Sequence, residues 1–300
     1  MKKILQLDGG GYKGRMTTFF LQALEEKLGK PLYQVFDLIS GTSTGAIIAG
    51  CLAAGASASL IHSVYRDEGA KLFKRNWSFP VWAKTKYDRT ALMNRIREII
   101  SYTNIDRMSG TKVRLQINAV NLVSDENVYF KSWKEEYLGM KISDAIQRSF
   151  SAAVYFGSTP VESENAVYAD GGEGNSNCTL LECMIESAKL DWRKDGVFIL
   201  SVGTGFTDNQ ETFKEASGYG LIGQTGEYMN MARRQAMRTQ LECAWTEKSI
   251  NPDFDFIRVD TEIDKKYDEL DGLSYGNQYD MYGRAMVVEF LNDDLLKKLA

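Results

Sequence analysis

The sequence predicts an α/β fold built on a mainly parallel sheet with helical crossovers. Three observations carry this. The first 54 residues run strand, glycine turn, helix, strand, small-residue turn, helix, an order that sets parallel strands side by side. The second of those helices, over 46–54, is almost wholly apolar and so must be buried all round. Val197 to Val202 is a nearly unbroken apolar run stopped by Gly203-Thr204-Gly205, as a buried strand would be.

The elements follow in order. Residues 3–7 read as a strand and 8–14 as a glycine-rich turn. Phe19, Phe20, Ala23, Leu24 and Leu28 recur near helical spacing, and Gly29-Lys30-Pro31 ends that helix. Residues 36–40 form a second strand, 41–45 a tight turn, and 57–65 a helix after the buried one. The stretch 68–109 is expected to be an insertion beside the core. Val113, Leu115, Ile117 and Ala119 alternate with Arg114, Gln116 and Asn118, which predicts a half-buried strand, with 128–133 as its partner. Helices are predicted over 142–153 and 222–247 and in the last 16 residues, and strands over 166–169 and 254–259. With no repeat or low-complexity linker, residues 1–300 are expected to form one α/β domain, 206–300 being its C-terminal part.

Composition excludes several function classes. At 44% apolar and 25% charged residues the chain is neither disordered nor fibrous. A net charge of -4 argues against a nucleic-acid polymer as partner. The one histidine, His62, excludes a multi-histidine zinc site, and no metal or other cofactor is expected. Four scattered cysteines, with no Cys-x-x-Cys pair, read as reduced, mostly buried thiols. The first apolar stretch stops at Asp8, too short for a signal peptide, and no run reaches the roughly 20 residues of a membrane span. A soluble, cytoplasmic protein is expected, able to meet the inner membrane face only from the side.

Two turns carry chemistry. Gly9-Gly10-Gly11-Tyr12-Lys13-Gly14 matches Gly-x-Gly-x-x-Gly, but the acidic residue a dinucleotide site wants near the end of the second strand is missing, Asp37 lying at its start. Such a loop, at a helix N-terminus, can hold a phosphate or a developing oxyanion, or merely pack helix on strand. Gly41-Thr42-Ser43-Thr44-Gly45 is Gly-x-Ser-x-Gly between strand and helix, the setting of a nucleophile elbow. A nucleophilic serine needs a base. His62 sits on the next helix, poorly placed to return over the elbow, so a carboxylate is expected instead. Asp170, at a strand end before Gly171 and Gly172, is a candidate, although Asp-Gly is also a common turn.

Together these motifs resemble the patatin-like phospholipase family. Its Asp-Gly-Gly-Gly-x-Arg/Lys-Gly, Gly-x-Ser-x-Gly and Asp-Gly-Gly/Ala motifs stand here in order at 8–14, 41–45 and 170–172. Ser151-Ala152-Ala153 and the 201–205 stretch extend the likeness over about 4–205, with Lys13 where arginine is frequent and no family motif in the last third. The resemblance implies a three-layer sandwich with helices on both sides of the sheet. It implies a lipid acyl hydrolase of phospholipase A type, with Ser43 as nucleophile, Asp170 as its base, and Gly9, Gly10 and Gly11 as oxyanion-hole donors. Asp8, Lys13, Gly14, Gly41, Gly45, Gly171 and Gly172 would support these motifs, Lys13 by holding its loop or meeting a lipid phosphate. Some bacterial relatives are antiphage effectors switched on by cyclic nucleotides, so a small-molecule activator is a further expectation. The alternative is a non-catalytic or nucleotide-binding α/β module whose loop 9–14 holds phosphate.

The stretch 71–89 concentrates six basic side chains against one acidic, with aromatics interleaved. That pattern suits an anionic membrane surface, with Lys74, Arg75, Trp77, Trp82 and Lys84 as contacts. The acidic residues of 264–271 are expected to face solvent.

Overall fold

The computed structural model describes residues 1–75, 85–174, 176–208 and 221–300, with the backbone alone at 70, 74, 75 and 221–229. Trp77, Trp82 and Lys84 lie outside the described residues. Strands β1 (Lys2–Leu7), β2 (Leu38–Gly41), β5 (Arg114–Asn121), β9 (Val197–Val202) and β10 (Phe254–Val259) run parallel, in the order β10-β9-β1-β2-β5. Antiparallel β8 (Ala166–Asp170), then β7 (Thr159–Val161), close that order, and β6 (Glu126–Lys131) is a hairpin partner of β5. A two-stranded ribbon, β3 (Lys74–Arg75) and β4 (Tyr87–Asp88), lies apart from the sheet.

Period-2 alternation along the strands distributes apolar side chains to two cores. Ile4, Leu38, Val197, Ile199 and Phe256 face one side, packed against α6 (Leu180–Lys189) and α7 (Leu221–Ile250). Leu5, Leu7, Ile39, Phe198 and Leu200 face the other, larger core. There they meet α1 (Gly14–Leu28), α2 (Thr44–Ala54), α3 (Ala58–Leu72), α4 (Thr90–Ser101) and α5 (Ile142–Ser149). From the C-terminal third, α8 (Gly276–Phe290) and α9 (Asp293–Leu299) join this layer, the Arg15–Asp280 ion pair tying α8 to α1. These are the three layers expected, and α2 is buried along its whole length.

Several elements differ from expectation. The alternation in β5 suggested one solvated face, yet Gln116 and Asn118 are fully buried. Gln116 donates to Ser40 Oγ (3.2 Å) and Asn118 to the Ser176 carbonyl (3.1 Å), so the polar face is covered instead of wet, with Gln116 Oε1 left without a partner among the described residues. The helix expected over 142–153 ends at Ser149, because tertiary bonds take over beyond it. The Ser151 carbonyl accepts the Asp170 N–H, and the Ala153 N–H goes to Glu173. The helical C-terminus is broken at Asn292, whose side chain accepts the Leu295 N–H and caps α9. Within 68–109, the stretch expected to be an insertion, α4 buries Leu92, Met93, Ile96, Ile99 and Ile100. No helix among the described residues is long and apolar enough to cross a membrane.

Candidate active site

Each residue of β5 has two flanks, and their use brings the motifs together. β6 pairs along 116–121, so β2, opposite 114–117, and β8, opposite 119–121, must share the other flank. They run in opposite directions and meet head to head, Gly41 ending opposite Ile117 and Asp170 opposite Ala119. Two residues of strand span about 7 Å. Ser43 and Asp170, 127 positions apart in the chain, therefore face each other, and the Ser43 hydroxyl donates to Asp170 Oδ2 at 2.6 Å.

The elbow is built by close approach. A side chain on Gly41 would lie 2.2 Å from the Gly45 carbonyl oxygen, and one on Gly45 would lie 2.4 Å from that of Leu7. Ser43 itself has φ 54° and ψ -118°, a conformation that costs a non-glycine residue about 1–3 kcal/mol. Its N–H donates to the buried Ser149 Oγ (2.9 Å), which secures the strained residue.

Asp170 caps the turn Gly171–Glu173, its Oδ1 accepting the Gly172 N–H at 2.8 Å. One carboxylate oxygen is thereby fixed and the other aimed at Ser43. Burial raises the Asp170 carboxyl to about 7, outweighing the hydrogen bonds from Ser43 and Gly172, which act to lower it. A carboxylate of that basicity can take a serine proton near neutral pH.

The glycine loop abuts the elbow: a methyl on Gly9 would come 3.1 Å from Ser43 Cβ. Its N–H groups are unequally available. Gly9 donates to the Asn177 carbonyl, Tyr12 to that of Leu270, and Lys13 to that of Gly10, while Gly14 turns back to Gly11 and Tyr12. The N–H groups of Gly10 and Gly11 have no acceptor among the described residues. Of the three expected oxyanion donors, Gly9 is thus already engaged. Its carbonyl is held too, by Thr204 Oγ1 (2.9 Å) and Asn177 Nδ2 (3.2 Å). Asp8 points away from Ser43 into a buried cluster, accepting from Arg258 (2.5 Å) and Gln6 (2.9 Å), with Asp260 also on Arg258.

Other expected residues fall elsewhere. Lys13 is buried and paired with Asp268. His62 is buried on α3, hydrogen-bonded through Nδ1 to Thr18 (3.0 Å) and set edge-on to Phe19, with burial lowering its pKa. Within 71–89, Phe73 and Tyr87 pack edge to face with each other and against Phe156. Lys86 pairs with Asp271. Arg89 binds the carbonyls of Phe156, Gly157 and Ser158. Lys74 and Arg75 form β3. Sequence reasoning passed over Ser149, Asn177 and Arg258; none carries a periodic or spacing signal, and only their contacts reveal them.

Beside Ser43 opens an apolar cleft between α2, α3 and α4, with Ile47, Cys51, Ile61, Leu92, Ile96 and Ile99 among its walls. Ser43, Ile47 and Cys51 lie on successive turns of one helix face, so the cleft runs about 12 Å from the serine.

The comparisons agree with this architecture. Residues 5–182 match the family model described as Patatin-like phospholipase. The chain is 32% identical over 180 residues to a cGAMP-activated phospholipase of Pseudomonas aeruginosa, covering 56% of this chain and 52% of that protein. It is 32% identical over 219 residues to a cUMP-AMP-activated phospholipase of Escherichia coli, covering 68% and 64%. A cGAMP-activated phospholipase of Vibrio cholerae is 28% identical over 293 residues, covering 87% and 82%. The chain thus spans between half and two thirds of the length of the first two. With the family model matching more than half its length, and the three motifs converging on one end of the sheet, the chain belongs to the patatin-like phospholipase family.

Proposed function

We propose that the protein is a lipid acyl hydrolase working through a Ser43–Asp170 dyad. The observation that carries this reading is the 2.6 Å hydrogen bond from Ser43 to a buried carboxylate at the mouth of an apolar cleft. Asp170 takes the hydroxyl proton as Ser43 Oγ attacks the ester carbonyl carbon. The resulting oxyanion is met by the N–H groups of Gly10 and Gly11. As the tetrahedral species collapses, Asp170 returns the proton to the departing lysolipid oxygen and the acyl group stays on Ser43. Water, deprotonated by Asp170, then attacks the acyl carbon; the bond to Ser43 Oγ breaks, Asp170 returns the proton to that oxygen, and the fatty acid leaves. Each oxyanion donor is worth about 100- to 1,000-fold in rate. The phosphate-binding alternative is less well supported, since two available N–H groups suit one oxygen better than a phosphate cradle.

The cleft holds the acyl chain. Cys51, two helical turns from Ser43, lines its far part, so Cys51→Phe should shorten it. The expected result is a roughly tenfold loss of kcat/KM for a palmitoyl ester with a butyryl ester within about threefold, matching the 1–3 kcal/mol typical of an overpacked core. Equal loss on both esters would remove the cleft from the acyl site.

The names of the relatives support activation by a cyclic dinucleotide; the antiphage role rests on the family resemblance alone. Fatty-acid release from phospholipid vesicles, with and without cGAMP or cUMP-AMP, tests the whole reading. Release that rises with one of them upholds it, and no release under any condition overturns it.

Peripheral membrane contact is also proposed, on a narrower base, because Phe73, Tyr87, Lys86 and Arg89 are engaged within the fold. Converting Lys74, Arg75 and Lys84 to Ser should reduce cosedimentation with anionic vesicles at low salt, where such attraction is least screened. Undiminished binding would withdraw the segment as a membrane contact.

A further inference from the structure

The acidic segment 264–271 keeps Asp264, Asp268 and Glu269 exposed, as expected, and it also lies against the glycine loop. The Leu270 carbonyl accepts the Tyr12 N–H at 2.7 Å. That oxygen stands 2.0 Å from where a Cβ on Gly11 would be, and Gly11 has φ +59°, so both space and backbone require glycine there. Asp268 pairs with Lys13, whose side chain is only 8% exposed. On its other side the segment holds residues 86–87: Asp271 pairs with Lys86 at 2.5 Å and accepts from the Tyr87 hydroxyl, and the Tyr87 ring packs on Phe73 and Phe156, which line the cleft. It is itself anchored to α8 by the Tyr279 hydroxyl, which donates to the Tyr267 carbonyl at 2.9 Å.

The two available N–H groups of the loop therefore sit between two sets of restraints. Asn177 and Thr204 hold the Gly9 peptide before them, and Leu270 and Asp268 hold Tyr12 and Lys13 after them. We infer that residues 264–271 form a clasp that aims the Gly10 and Gly11 N–H groups at the oxyanion, with Asp268, through Lys13, as its principal positioning residue. This rests on the hydrolase reading above. It gives the C-terminal third a part in turnover that no motif there announces. Aim matters because a misplacement of about 1 Å can cost about 100-fold in rate.

The test uses the full chain and a soluble butyryl ester. Asp268→Ala is expected to lower kcat by about 10- to 100-fold with KM within about threefold. A fluorophosphonate should still label one Ser43 per chain, at a rate lowered in proportion, because the inhibitor also needs the oxyanion donors. Asp268→Glu, which can still reach Lys13 from a partly exposed position, should recover most of the lost rate. Adding Lys13→Met to Asp268→Ala should cost no more than either change alone, as for two members of one pair. Wild-type turnover in Asp268→Ala, a loss of labelled fraction instead of labelling rate, or a Glu variant no better than Ala would overturn the clasp. Wild-type protein that neither hydrolyses the ester nor takes the label would overturn the hydrolase reading, and the clasp with it.

Discussion

Ser43→Ala is expected to leave a folded protein in which ester hydrolysis falls by about 10,000-fold or more, the scale seen when an acyl hydrolase loses its nucleophile. Nothing nearby can replace it. Thr44, the next hydroxyl, is hydrogen-bonded to the buried Tyr65 hydroxyl. Thr42 points to Asn118 and the Ser176 carbonyl. The fold should survive, because the elbow depends on Gly41, Gly45 and the Ser43 N–H bond to Ser149, none of which the substitution removes. Fatty-acid release and fluorophosphonate labelling, read beside the melting temperature, check this together. A folded Ser43→Ala protein that still hydrolyses the ester would place the nucleophile elsewhere.

Asp170→Asn should remove nearly all turnover while His62→Gln stays within a few-fold of wild type. General-base catalysis contributes about 100- to 10,000-fold, and here the same group serves both half-reactions. His62 is held by Thr18 on α1 and makes no hydrogen bond to Ser43, and being the one histidine it tests every histidine-based mechanism within the chain. Wild-type rates should rise with pH through about 7, as the Asp170 carboxyl ionises. Its effect on stability runs the other way. The folded carboxyl titrates near 7 against an ordinary 3.8, so between those values the folded protein holds a proton that the unfolded chain has released. Stability from this group is therefore lost as pH rises from about 4 to about 7, at up to about 1.4 kcal/mol per unit. Asparagine carries no such penalty, so the Asp170→Asn melting temperature should gain on wild type between pH 5 and pH 8. An inactive His62→Gln beside an active Asp170→Asn would return the chain to a histidine-based mechanism, and a constant melting difference would remove the buried-carboxylate account.

Much of this was legible because the signals are local. A glycine turn after an apolar run, Gly-x-Ser-x-Gly between strand and helix, and Asp before two glycines each need only neighbouring residues to be recognised. The misreadings share the opposite cause. Gln116 and Asn118 look solvated because polar alternation does not reveal whether the loop at 176–179 will cover them. Residues 264–271 do expose Asp264, Asp268 and Glu269, but their hold on the glycine loop could not be read, because the partners, Lys13, Tyr12, Lys86 and Tyr87, are about 180 to 260 positions away.

What the sequence by itself determined is the parallel order of strands and helices, the placing of Ser43 and Asp170 at strand ends, and the lack of a histidine suited to a triad. Only the tertiary structure decided that β2 and β8 meet head to head on one flank of β5, which turns two distant motifs into one hydrogen bond. Only it decided which N–H groups of the glycine loop remain available, and that Lys13 is spent within the fold. The physical reason is that secondary-structure propensity and periodicity act over a few residues, whereas pairing every buried donor, acceptor and charge is settled across the whole chain at once.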